Sequence, residues 1–110
     1  SAARRRLQDL ISLAVVGGEA RVVITGASSG IGAELTRQFA KHASVSLLLG
    51  CRDLEKAKRV VARIASKGPA PPRIVQLEML DPDSVQSFAD EAHEFLQGGA
   101  DGLRMLINNA

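Results

Sequence analysis

Residues 22–32 read Val22-Val23-Ile24-Thr25-Gly26-Ala27-Ser28-Ser29-Gly30-Ile31-Gly32, a β-branched run followed at once by glycines at GxxxGxG spacing. The β-branched residues favour an extended chain, which predicts a strand over Arg21–Thr25. Ile31, Leu35 and Phe39 then recur every four residues and predict a helix from about Gly30 to His42. A strand that enters a helix through a glycine-rich turn makes an anion site. The first helical N–H groups have no partner within the helix, and the helix dipole is positive at that end.

Each residue of the turn has a reason in that reading. Gly26 takes the backbone angles of a sharp turn, Gly30 has no side chain where a diphosphate would approach, and Gly32 lets the helix pack close to the strand. Ser28 and Ser29 add hydroxyl donors for phosphate or ribose oxygens. No Gly-Lys-Ser/Thr follows, so a Walker loop fits poorly. The plain alternative is a tight strand-to-helix turn that holds nothing.

Outward from this turn the pattern repeats. Val45–Leu49 predicts a second strand. Leu54, Ala57, Val60, Val61 and Ile64 mark a second helix, which ends near Lys67-Gly68. Pro69, Pro71 and Pro72 form a loop, and Ile74, Val75, Leu77 and Leu80 predict strand three. Asp81-Pro82-Asp83-Ser84 reads as a helix start. Val85, Phe88, Ala89, Ala92, Phe95 and Leu96 form the apolar stripe of that third helix, and Leu103–Ile107 predicts strand four. Strands alternating with helices imply an α/β fold of Rossmann type, a parallel sheet in strand order 3-2-1-4 with helices on both faces. In that order the apolar fourth strand lies at an edge, which invites aggregation.

Residues 1–18 stand apart from the unit over 19–110. Arg4-Arg5-Arg6 precede Leu7, Leu10, Ile11, Leu13, Ala14 and Val15, and Gly17-Gly18 follow. The segment reads either as an amphipathic helix packed on the domain or as the remnant of a targeting sequence. The chain starts at Ser1 and stops straight after an apolar run, which reads as a fragment cut after its fourth strand.

Composition narrows the function classes. A net charge of +2 with 3% aromatic residues argues against nucleic acid as a partner. One cysteine, Cys51, excludes an internal disulfide and suits the cytoplasm or another reducing compartment. No apolar run reaches a membrane span, so membrane or organellar association would run through the N-terminal segment. Two histidines and one cysteine, far apart in sequence, give no metal site.

Four ordered motifs carry a family resemblance. Thr25–Gly32 reads TGASSGIG, Cys51-Arg52-Asp53 follows strand two, Leu80-Asp81 ends strand three, and Asn108-Asn109-Ala110 ends strand four. Together they resemble the short-chain dehydrogenase/reductase family, whose fold opens with TGxxxGIG and whose fourth strand ends in NNAG. The phrase CRD followed by LEKA is similar to retinol-dehydrogenase-like and related carbonyl-reducing members. The resemblance covers Arg21 to Ala110 and implies a nicotinamide dinucleotide held by Gly26, Ser28, Ser29, Gly30, Ile31 and Gly32.

The resemblance also assigns the remaining positions. Arg52 lies where the adenosine ribose would sit, and a guanidinium there grips a 2′-phosphate, which implies NADP(H) in preference to NAD(H). Asp53 either approaches that ribose or caps the following helix. Asp81 would accept from the adenine amino group, with helix capping before Pro82 as its rival or additional role. Asn108 and Ala110 would line the cofactor beside its ribose, while Asn109 fastens strand four to a neighbour. Cys51 reads as a small buried residue.

The chemistry itself is a different matter. The family moves hydride between nicotinamide and a carbonyl or alcohol carbon, with a Tyr–Lys pair handling the proton. The sequence contains no tyrosine, so no catalytic residue is assigned. The resemblance therefore implies the cofactor half of an NADP(H)-dependent oxidoreductase acting on a small alcohol or carbonyl compound, with a homo-oligomer one open arrangement of the intact protein. The 110 residues alone are expected to be inactive. The alternatives are a non-catalytic NAD(P)-binding sensor or interaction module and a truncated product without function.

Overall fold

The computed structural model describes residues 2, 5, 6, 19–98 and 102–109. The expected N-terminal helix or targeting remnant over 1–18 falls almost wholly outside the described residues, and so does Ala110. The described chain runs β1 (Ala20–Thr25), α1 (Gly30–Ala40), β2 (Val45–Cys51), α2 (Leu54–Ala62), β3 (Arg73–Gln76), α3 (Pro82–Gln97) and β4 (Leu103–Asn108). All three strand pairings are parallel and the order is β3-β2-β1-β4, as the sequence predicts.

The two central strands explain their own composition. Val22-Val23-Ile24 and Leu47-Leu48-Leu49 are buried without alternation because helices cover both faces of the sheet. Val22 registers with Leu47 and Ile24 with Leu49. These four residues share a core with Phe39 of α1 and Ala57 of α2. Val23 registers with Leu48, and this pair packs instead with Leu77 and with Phe88 of α3. Each fully buried side chain of this size contributes about 1.5–3 kcal/mol.

Chain direction then decides where a ligand can go. From β1 through β2 to β3 the chain moves one way across the sheet, and right-handed crossovers put α1 and α2 on one face. From β3 it returns past both central strands to β4, so α3 must cross the opposite face. The reversal opens a crevice between β1 and β4 at the carboxyl ends of the strands, the standard ligand position in open α/β sheets.

The helix ends are specified locally. Asp53 and Asp81 both have extended backbones and cap α2 and α3, accepting from Lys56 N–H at 3.1 Å and Asp83 N–H at 3.0 Å. Pro82 stands in the first turn of α3. The first helix stops at Ala40 with Lys41 as its cap, two residues short of the expected His42.

Strand three departs from expectation. The apolar spacing of Ile74, Val75, Leu77 and Leu80 predicts a strand to Leu80, but β3 ends at Gln76. Leu77 N–H still donates to Cys51 O at 2.9 Å, and there the ladder stops. Beyond it Glu78 N–H turns to Ser84 Oγ, Leu80 N–H turns to Glu78 Oε1, and Asp81 N–H turns to Glu78 O. Local acceptors thus replace the sheet, and Leu80 is left 93% exposed.

Among the described residues, no helix is long and apolar enough to cross a membrane, and no group of three or more His, Cys, Asp or Glu is placed to hold a metal ion.

Candidate functional site

The glycine turn lies at the carboxyl end of β1, at the crevice. Gly26 and Gly30 have positive φ, +64° and +55°, a conformation that side chains disfavour. Gly26 N–H and Ala27 N–H both donate to Gly50 O, at 2.9 and 3.4 Å, which ties the turn to β2. Ser29 is extended at the N-cap of α1, and its side chain makes no capping hydrogen bond.

Space around the three glycines differs in a way that bears on a ligand. A Cβ on Gly32 would come within 1.9 Å of Gly26 O, and one on Gly26 within 2.2 Å of Asn109 O. Both positions are closed by the protein's own backbone. A Cβ on Gly30 would meet nothing within 4 Å. The turn is therefore tight on its inner side and open at Gly30, beside the first N–H groups of α1. This is the shape a bound diphosphate requires, and the residues present fit such a group.

The end of β4 locks the turn from the other side. Asn109 N–H donates to Thr25 Oγ1 at 3.0 Å, and Thr25 Oγ1 donates to Asn108 Oδ1 at 2.8 Å. Asn109 Nδ2 donates to Gly26 O at 3.4 Å, so Asn109 fastens strand four to its neighbour as expected.

A groove of about 390 Å³ runs from this turn across β2 towards the loop after β3. Gly26, Ser29 and Asn109 line one end, Gly50 the floor, and Arg52, Leu77, Glu78, Met79 and Leu80 the other end. Gly50 is bare because a Cβ there would strike the Phe88 ring at 2.7 Å. The exposed Arg52 guanidinium has no partner among the described residues, although the Arg52 carbonyl accepts from Gln76 Nε2 at 3.4 Å. Glu78 uses one carboxylate oxygen on Leu80 N–H, at 3.2 Å.

The site residues named from sequence divide accordingly. Gly26, Ser29 and Arg52 line the groove together. Gly30, Gly32 and the half-buried Ser28 build the turn beside it. Ile31, which the resemblance assigns to the dinucleotide site, is 70% exposed beside the turn but does not line the groove. Asp81 does not line the groove; its carboxylate caps α3. Asn108 faces an apolar cleft between α3 and β4 that also holds Phe88 and Leu106. Sequence reasoning missed Gly50, Leu77, Met79 and Glu78. The one available signal was Glu78 itself, an acid directly after a strand.

Cys51 is buried below the turn, and burial pushes its thiol up, partly offset by a hydrogen bond from the Ala27 backbone. It is a packed neutral thiol, as expected. A larger cleft of about 600 Å³ lies at the opposite ends of the strands, but its cations are already paired, Arg21 with Glu19 and Arg73 with Glu91.

Comparison with known proteins agrees with this geometry. The family model described as short chain dehydrogenase matches residues 20–110. NADPH carbonyl reductase 3 and NADPH carbonyl reductase 1 of Mus musculus are each 34% identical over 88 residues, 80% of this chain. The chain spans only 30% of the length of either relative. Among solved structures, a short chain dehydrogenase from Salmonella enterica serovar Typhi superposes with a TM-score of 0.66 at 27% identity. That match covers 84% of this chain and 37% of the other. With its turn, strand order and family match in agreement, the chain belongs to the short-chain dehydrogenase/reductase family.

Proposed function

We propose that this chain binds the adenosine and diphosphate portion of NADP(H) and serves as the cofactor-holding part of an oxidoreductase acting on carbonyl or alcohol carbons. The observation that carries the reading is the groove that joins Gly26 and Ser29 of the turn, beside the open face of Gly30, to the Arg52 guanidinium, which has no partner among the described residues. The diphosphate rests on the amide hydrogens of the turn and the free N–H groups of α1, with Ser29 Oγ as a further donor. Arg52 takes the 2′-phosphate as a bidentate donor. Leu77, Met79 and Leu80 cover the adenine. The acceptor for the adenine amino group is Glu78 rather than Asp81, because β3 ends early and brings Glu78 to the groove. By the family resemblance, Asn108 and Ala110 line the cofactor beside its ribose.

When bound, the nicotinamide would supply or accept hydride. The chain's own residues bind and orient; none of the 110 is a tyrosine that could handle the proton. The relatives named for NADPH support the choice of cofactor. Titration of the chain with NADPH and NADH tests it. Arg52→Glu should weaken NADPH far more than NADH, and equal loss for both would refute the phosphate clamp.

A further inference from the structure

We infer that Ser84, a residue of α3 outside the groove, is a positioning residue that sets the adenosine end of the site. The inference rests on the dinucleotide reading above. Ser84 is half-buried in the first turn of α3, three residues after the Asp81 cap. A residue there commonly reaches back to the backbone N–H of its own cap residue. Here that N–H is already taken, since Asp81 N–H donates to Glu78 O at 3.1 Å. Ser84 Oγ reaches further back and accepts from Glu78 N–H at 2.9 Å.

The consequence falls on the groove wall. Leu77 N–H is the last donor to the sheet, through Cys51 O. From Glu78 onward the wall has no ladder to hold it. The Glu78 backbone is clamped to α3 at both ends, its N–H by Ser84 and its C=O by Asp81. Its carboxylate in turn accepts from Leu80 N–H. Without the Ser84 hydroxyl, Glu78 N–H loses its partner, and the segment that presents Glu78, Met79 and Leu80 to the groove is held only through Asp81. The glycine turn is untouched, because its ties run to Gly50, Thr25 and Asn109. Ser84 therefore acts on one end of the ligand and not on the other.

The test uses two probes with the 110-residue chain followed by NMR titration: adenosine 2′,5′-bisphosphate for the adenosine end and inorganic pyrophosphate for the glycine turn. Ser84→Ala should weaken the bisphosphate about fivefold to tenfold, the scale of one lost hydrogen bond. Pyrophosphate affinity should stay within about twofold, and Ser84→Thr, which keeps the hydroxyl, should restore the bisphosphate. Unchanged bisphosphate binding in Ser84→Ala, or equal weakening of both probes, overturns the inference while leaving the dinucleotide reading in place. A wild-type chain that binds neither probe overturns that reading and this inference with it. Amide exchange in the wild-type chain gives a check that needs no variant. Glu78 N–H should be protected relative to Met79 N–H, and equal exchange would count against the clamp.

Discussion

Arg21 and Arg104 are direct register partners on β1 and β4, and both turn their guanidinium groups to the C-terminal end of α3. Arg21 donates to Phe95 O at 2.9 Å and stacks over the Phe95 ring, while Arg104 donates to Leu96 O and to Gly98 O. The last turn of α3 contains no basic residue of its own. The sheet supplies the positive charge that the helix terminus calls for. This sets the far end of the helix whose first turn supports the groove wall.

The two arginines should therefore couple. Arg21→Met and Arg104→Met each keep an apolar stem and should each cost about 1–2 kcal/mol, as for a part-buried hydrogen bond from a charged group. The double variant should cost less than the sum, since losing one cap frees the helix end that the other holds. Urea denaturation of the four proteins in a double-mutant cycle reads this directly. Strict additivity would show that the two caps act independently.

Gly30 and Gly32 should fail in different ways. Gly32→Ala puts a methyl group 1.9 Å from a backbone oxygen, so a loss above about 3 kcal/mol or outright misfolding is expected. Gly30→Ala meets no atom and carries only the strain of a positive φ, roughly 1 kcal/mol. Its methyl group would stand in the proposed diphosphate position, so thermal stability should survive while NADPH binding falls by at least about tenfold. A Gly30→Ala chain that binds NADPH like wild type would rule out the turn as the diphosphate site.

Cys51 makes stability fall at alkaline pH. Its thiol is pushed above the ordinary value of 9.0 by burial, so the folded chain holds a proton that the unfolded chain releases. The contribution is complete below that ordinary value and disappears as pH rises through the raised folded value. Cys51→Ala should flatten this alkaline slope in urea denaturation series between about pH 8 and 10. An unchanged slope would assign it to other groups.

Among the described residues β4 has a neighbour on one side only, and Leu106 on it is 62% exposed. An apolar outer edge of this kind promotes association between sheets. Leu106→Lys should raise the concentration at which light scattering sets in, with folding stability altered by no more than about 0.5 kcal/mol. No change in the onset would locate self-association elsewhere.

Much of the architecture was legible because the signals are local and repeated. The β-branched and leucine runs of β1 and β2, the four-residue recurrence in α1, and the caps Asp53 and Asp81 each act within a few residues of themselves. The glycine turn was legible for the same reason, since positive φ at Gly26 and Gly30 is a property of the turn alone. Strand three was misread at its end because spacing does not report where a backbone donor finds its partner. Past Leu77 the backbone donors find local acceptors, Ser84 Oγ for Glu78 N–H and Glu78 Oε1 for Leu80 N–H. Ile31 recurs with Leu35 and Phe39 at helical spacing, yet it is 70% exposed, because periodicity alone does not report what covers a helix face.

By itself the sequence determined the alternation of strands and helices, the parallel sheet and the glycine-rich turn after β1, all of which follow from periodicity, propensity and backbone freedom in short stretches. Only the tertiary structure decided which acid reaches the groove, that Gly50 forms its floor beneath Phe88, and that strand partners Arg21 and Arg104 cap α3. Those outcomes depend on atoms far apart in the chain meeting across the sheet, and a linear pattern carries no measure of that distance.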